Sequence, residues 1–110
     1  FLISNTSRQL FSRAKSLISK DIKFFLEAPF SGVKYRYNDS FIIKSLRKTL
    51  THEFVGKSQI FELKSQNRKL NSLLCEIFTY LAVKFEKSGI QGFIGNEQSG
   101  CFWMQIVSHD

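Results

Sequence analysis

The chain has 110 residues, of which 43% are hydrophobic and 12 are phenylalanine. This length and composition predict one globular domain with a single core, and because the chain begins with Phe1 we expect a fragment of a larger protein. Sixteen Lys and Arg against nine Asp and Glu give a net charge of +7, which favours an anionic partner. No apolar run approaches the roughly 20 residues of a membrane span. Two cysteines and two histidines, widely separated, do not make a zinc site.

The first predicted element is a long amphipathic helix over residues 6–27. Thr6 and Gln9 have the spacing of a capping box, which satisfies backbone N–H groups at a helix start. Pro29 ends the pattern, because the residue before a proline is biased out of the helical conformation. Apolar residues recur near helical spacing between these points: Leu10, Ala14, Leu17, Ile18, Ile22, Phe25 and Leu26.

The segment after Pro29 allows two structures. Residues 29–32 predict a turn, and residues 33–37 alternate apolar and basic side chains, which is typical of a strand. Residues 41–44 are β-compatible and would pair with that strand as a hairpin arm. Alternatively, residues 40–52 form a helix, because Ile42, Ile43, Leu46 and Leu50 also fit a helical stripe. Sequence propensity does not decide between the two.

The C-terminal half predicts two helices and a hairpin. Gly56 and Ser58 indicate an extended segment that turns into a short helix over residues 58–65. A third helix is the clearest element, with an apolar stripe from Leu70 to Phe85 and an end at residues 88–89. Residues 90–94 and 101–107 predict strands joined by a polar tip. The predicted fold class is therefore α+β, a winged-helix-like three-helix core with a β-hairpin arm and a C-terminal β-hairpin.

Three stretches resemble the DEP domain, a family found in Dishevelled, pleckstrin and regulators of G-protein signalling. Residues 29–33 (Pro-Phe-Ser-Gly-Val) are similar to the family's Pro-x-Ser-Gly-Leu. Residues 54–63 are similar to its Phe-[Leu/Ile/Val]-Gly-Ser-x-Val-Val-Asp-Trp-Leu, although Lys57 is an extra residue and Leu63 stands where the family usually has Trp. Residues 87–90 are similar to the end of the family's third helix. The resemblance covers residues 18–107.

This resemblance implies a non-enzymatic signalling module without a cofactor or metal, recruited in the cytoplasm to the inner face of a membrane. The implied partner is an anionic phospholipid surface, or a signalling protein or receptor tail. Independently of the resemblance, a long helix followed by the hinge at residues 29–32 is compatible with a monomer or a helix-swapped dimer. Lys44 matches a lysine of the family's arm. Independently, residues 34–48 are the densest basic window, with aromatic residues interleaved. The predicted binding residues are Lys34, Arg36, Lys44, Arg47 and Lys48.

Two other functions remain open. A winged helix that binds nucleic acid would place the start of helix three in the major groove, with Asn67, Arg68, Lys69 and Asn71 at the bases. Against this, the predicted wing carries Glu97 and no Lys or Arg follows residue 89. A PCI-like protein-interaction module, which ends in a similar wing, is the third option. The pairs at residues 52–53 and 109–110 (His-Glu, His-Asp) have no nucleophile or phosphate loop around them, so the sequence predicts no enzyme.

Overall fold

A computed structural model describes residues 2–18, 23–27, 34–51, 58–85 and 89–107. These residues form helices and an antiparallel five-stranded sheet of strand order β2-β1-β3-β5-β4. The fold class is therefore α+β, as predicted. In chain order the elements are α1 (Leu2–Leu17), β1 (Lys23–Glu27), β2 (Lys34–Arg36), α2 (Asp39–Thr51), β3 (Ser58–Lys64), α3 (Arg68–Lys84), β4 (Ile90–Asn96) and β5 (Cys101–Val107).

Helix α3 is the centre of the core and confirms the predicted third helix. Its N-cap is Asn67, whose side chain accepts a hydrogen bond from the backbone N–H of Leu70 at 3.1 Å. The apolar stripe seen in the sequence is buried up to Leu81, and Phe85 at its end is half-buried. The buried residues are Leu70, Leu73, Leu74, Ile77, Phe78 and Leu81. Because a 3.6-residue period places these side chains on one face, the sequence pattern was sufficient to identify this helix.

The sheet buries one face against the helices. Phe61 and Leu63 of β3 are buried, as are Phe102, Met104 and Ile106 of β5, while the residues between them are more exposed. Helix α1 packs on both α2 and α3: the Ser7 hydroxyl donates to the backbone carbonyl of Leu50 in α2 at 3.0 Å. The result is one continuous core shared by the three helices and the inner face of the sheet.

The C-terminal hairpin is also confirmed. Strands β4 and β5 pair in antiparallel register, with Phe93 opposite Met104 and Ile94 opposite Trp103, and an irregularity lies between Ile90 and Gly92. At the tip, the Asn96 side-chain oxygen accepts from the backbone N–H groups of residues 98 and 99 at 3.0 Å. A local turn with its own hydrogen bonds explains why sequence signals located this hairpin correctly.

The predicted helix over residues 58–65 is wrong, because this segment is strand β3. It lies in the middle of the sheet and pairs with β1 on one side and β5 on the other. Phe61 and Leu63 are buried and alternate with Glu62, which is the period of a strand. A winged helix would have its second helix here. The second helix of this fold is instead α2, at an earlier position in the chain.

Two further expectations change around α2. The strand predicted over residues 33–37 is present as β2, but it pairs with β1 and not with residues 41–44. The hairpin arm is therefore wrong, and the alternative helix over residues 40–52 is confirmed by α2. The long helix over residues 6–27 ends at Leu17, and Lys23–Glu27 forms β1 between β2 and β3. A run of aromatic and aliphatic residues is compatible with a helix or a strand. At residues 23–27 the strand forms because β2 and β3 pair with it on both sides. The predicted turn at residues 29–32 lies outside the described residues. So do two parts of the segments that resemble the DEP domain, residues 52–57 and 86–88.

Candidate functional site: a basic surface on two helices

Three basic side chains form a stripe along the exposed side of α2. Lys44, Arg47 and Lys48 are three and four residues apart, so they lie next to one another on the helix surface. The opposite side of α2 is buried in the core through Ile42, Ser45, Leu46, Thr49 and Leu50. Because packing fixes the buried side, it also fixes the direction in which the basic stripe points.

Local contacts hold the N-terminal end of α2. The Asn38 side-chain oxygen accepts from the backbone N–H of Phe41 at 3.0 Å, and the Tyr37 ring stacks on the Phe41 ring with centroids 3.8 Å apart. Asp39 lies in the first turn and Lys48 in the last, which is the arrangement that the helix dipole favours. The basic stripe is thus carried by a capped helix and not by a loose arm.

Helix α1 extends the basic stripe. The guanidinium of Arg47 lies 5.8 Å from the centroid of the Phe11 ring of α1, within the range of a cation–π contact. Arg8 and Lys15 lie three residues before and four residues after Phe11, and both are exposed. The two helices therefore present a joined basic surface, which we define as Arg8, Lys15, Lys44, Arg47 and Lys48.

Within α1 and α2, acidic residues hardly offset this charge. Helix α1 contains no Asp or Glu, and the one acidic residue of α2 is Asp39 at its far end. Arg13 of α1 does not belong to the basic surface, because its guanidinium pairs with the Glu76 carboxylate of α3 at 3.0 Å. The positive charge is consequently concentrated on the part of α1 that faces α2.

Lys84 is a basic residue whose contacts lie within the fold. Its ammonium donates to the backbone carbonyl of Leu50 at 2.7 Å and lies 5.5 Å from the centroid of the Tyr80 ring. Partial burial lowers the pKa of Lys84, because desolvation disfavours the charged form. The Leu50 carbonyl is at the C-terminal end of α2, where a cation is favoured by the helix dipole. Lys84 thus joins α3 to the end of α2.

The structure places the five predicted binding residues in two groups. Lys44, Arg47 and Lys48 belong to the basic surface. Arg36 is exposed on β2, at the edge of the sheet. The backbone of Lys34 pairs with Glu27 of β1, and the side chain of Lys34 is not among those described. Arg8 and Lys15 were not among the binding residues predicted from the sequence. Their seven-residue spacing places them on one stripe of α1, and the contact between Phe11 and Arg47 shows that this stripe lies beside α2.

The residues proposed for nucleic-acid binding have mixed surroundings. Arg68 and Lys69 are exposed at the start of α3. Asn67 is used as the helix cap, and its side-chain amide also approaches the Leu17 carbonyl at 3.5 Å. Asn71 is buried, with 3% of its surface exposed, so its amide cannot reach a base edge without rearrangement. Glu97 lines an open cleft together with Arg68 and Gln98 and sets a negative charge beside the arginine.

The described part of the chain offers few other features with a chemical function. The described residues contain no cluster of His, Cys, Asp and Glu that could hold a metal ion. Cys75 is half-buried and Cys101 is exposed, and both are free thiols. Within the same ranges, each helix is too short or too polar to cross a bilayer.

Comparison with known proteins gives no assignment. No family model matches this chain, and neither a curated protein nor a solved structure matches it.

Proposed function

We propose that this chain is a non-catalytic recruitment module that binds an anionic phospholipid surface through the basic surface. The observation that carries the proposal is the joined stripe on α1 and α2, on which five exposed cations lie beside a single acidic residue at one end. Cations held on packed helices approach a charged plane together, so each can contribute at the same time.

The size of the effect indicates reversible binding. Each basic side chain near an anionic leaflet contributes about 1 kcal/mol, so five contribute at most about 5 kcal/mol. That free energy corresponds to a dissociation constant of roughly 0.2 mM. Salt screens such interactions, with a Debye length of about 8 Å at physiological ionic strength. A second contact, to lipid or to a signalling protein, is then required for stable recruitment.

The resemblance to DEP domains supports the same role by analogy, and a DEP-like, winged-helix classification stays a prediction. The basic surface does not depend on it, because the surface is defined by contacts between α1 and α2. A site on the inner face of a cytoplasmic membrane is likewise part of the proposal. The nucleic-acid alternative uses Arg68 and Lys69 instead, so one set of variants separates the two.

The test is vesicle co-sedimentation with two charge-matched triple variants. In the first variant Lys44, Arg47 and Lys48 are replaced by Glu, and in the control Lys64, Arg68 and Lys69 are replaced by Glu. All six residues are exposed, and the two variants carry the same net charge. We expect the wild type and the control to bind phosphatidylserine-containing vesicles at low salt, and the first variant to lose binding.

Two outcomes would overturn the proposal. Absence of wild-type binding to anionic vesicles at low salt removes the membrane function. Equal loss in both variants shows that overall charge, and not the basic surface, governs binding. If the control variant alone loses affinity for duplex nucleic acid that the wild type binds, the nucleic-acid function is favoured instead.

A further inference from the structure

Strand β4 lies at an edge of the sheet with unusually little protection. It pairs with β5 on one side, and no described strand pairs with its other side. Natural edge strands are commonly protected by Lys, Pro or short length. Residues 90–96 contain neither a charge nor a proline over seven positions, and the irregularity between Ile90 and Gly92 leaves Gly92–Asn96 in regular register.

The opposite edge of the sheet is different. Strand β2 has three residues, Lys34–Arg36, and two of them are basic. A short, charged strand is a poor template for pairing with another chain. The sheet therefore has one protected edge and one edge that can accept a strand.

The unprotected edge carries an exposed apolar side chain. Among the described residues the large hydrophobic side chains that stay exposed are Ile94 and Val83, each with 67% of its surface accessible. Ile94 is on β4, and Val83 is on α3, the helix that packs against β4 and β5. Within residues 89–107 the one charged side chain is Glu97, although the whole chain carries +7.

We propose that β4 pairs in antiparallel orientation with β4 of a second copy of this chain, centred on Phe93. In that register Ile94 lies opposite Gly92 of the second copy. Gly92 has no side chain, and the space where a Cβ would lie is taken by the indole ring of Trp103 from β5. Ile94 therefore packs against Trp103 of the second copy, and the same contact recurs at the symmetry-related position.

The distribution of charge favours a second copy of this chain as the partner of β4. Two chains of +7 repel each other, and they approach at the lowest cost where the surface is uncharged. The uncharged strip at β4 meets itself in a two-fold pair, so the described residues 90–96 bring no basic side chain against another. Pairing also consumes the open edge of both copies, and the basic β2 edges that remain prevent growth into a fibre.

The two-fold axis has a consequence for orientation. Antiparallel edge pairing places this axis perpendicular to the sheet, so both helical layers lie on the same side. If the proposed membrane function holds, helices on the same side of the dimer carry both basic surfaces, and binding of the second surface to the same bilayer is an intramolecular event. The dimer itself does not require that function, because it is measured without lipid.

The experiment is sedimentation equilibrium of the wild type, Ile94→Lys and Gln98→Lys, from about 5 to about 200 µM. Both variants add one positive charge at an exposed position of the same hairpin. We expect the wild type to form dimers, Gln98→Lys to match it, and Ile94→Lys to raise the dimer dissociation constant about tenfold or more. Circular dichroism spectra establish that each variant is folded.

A second measurement reports the location of the contact. Hydrogen exchange should slow with protein concentration at backbone amides of Gly92–Asn96 and not at those of β2. A wild type that stays monomeric over the whole range overturns the proposal. So does a dimer that Ile94→Lys leaves intact, or one that both variants weaken equally.

Discussion

Replacing Gly100 with alanine tests how the hairpin tip is fixed to the rest of the fold. Gly100 ends the turn between β4 and β5 and has a backbone φ of +70°, in the left-handed region. Its carbonyl accepts from the Ser65 N–H at 2.9 Å, and its N–H donates to the Asn96 carbonyl at 2.9 Å. The tip is thus joined to the residue that follows β3.

Two costs add for this substitution. A non-glycine residue in the left-handed region loses about 1–2 kcal/mol. A Cβ at this position would also overlap the Ser65 carbonyl oxygen and lie 2.7 Å from the Asn71 side-chain nitrogen. Ser65 and Asn71 are buried, so the overlap is relieved by moving the backbone and losing the Ser65–Gly100 hydrogen bond, worth about 1 kcal/mol. Together we expect a loss of about 2–3 kcal/mol in the free energy of unfolding.

Urea denaturation followed by circular dichroism measures this loss, with Gly95→Ala as the control. Gly95 is exposed in β4 and does not have a positive φ, and the nearest contacts for a Cβ are ring atoms of Phe102 and Phe93 at 3.2 Å, which have to shift by a few tenths of an ångström. We expect Gly95→Ala to change stability by less than about 1 kcal/mol. If the free energy of unfolding of Gly100→Ala lies within about 0.5 kcal/mol of the wild-type value, the close approach of Gly100 to Ser65 does not govern how the hairpin tip is held.

Two further predictions concern Asn67 and Lys84. Asn67→Ala should lower the free energy of unfolding by about 1 kcal/mol in urea denaturation, because the N–H of Leu70 loses its capping oxygen. A loss of duplex affinity without a loss of stability would contradict the structural role of Asn67. Because burial lowers the pKa of Lys84 below its ordinary value of 10.5, the unfolded chain binds the proton more tightly. The stability of the wild type relative to Lys84→Met should therefore increase as the pH rises from the lowered pKa towards 10.5, and a difference that falls over this interval would contradict the assigned cause.

The basic surface was predictable in part. Lys44, Arg47 and Lys48 stand close together in the sequence, and a helix is sufficient to bring them onto one stripe. Arg8 and Lys15 are about thirty to forty positions away, and their addition depends on how α1 packs against α2. Asn67 and Asn71 looked like base-reading side chains, but only the packing of α3 shows that one is a cap and the other is buried.

By itself, the sequence determined the elements whose signals are local. Helix α3 follows from its 3.6-residue apolar stripe, and the β4–β5 hairpin follows from two short apolar runs around a polar turn. The tertiary structure decided the segments whose patterns suit more than one state. Residues 58–64 become a strand because β1 and β5 supply hydrogen-bond partners on both sides, and residues 23–27 leave the predicted helix because β2 and β3 do the same. Strand pairing joins residues far apart in the chain, so its free energy does not appear in any local window of sequence.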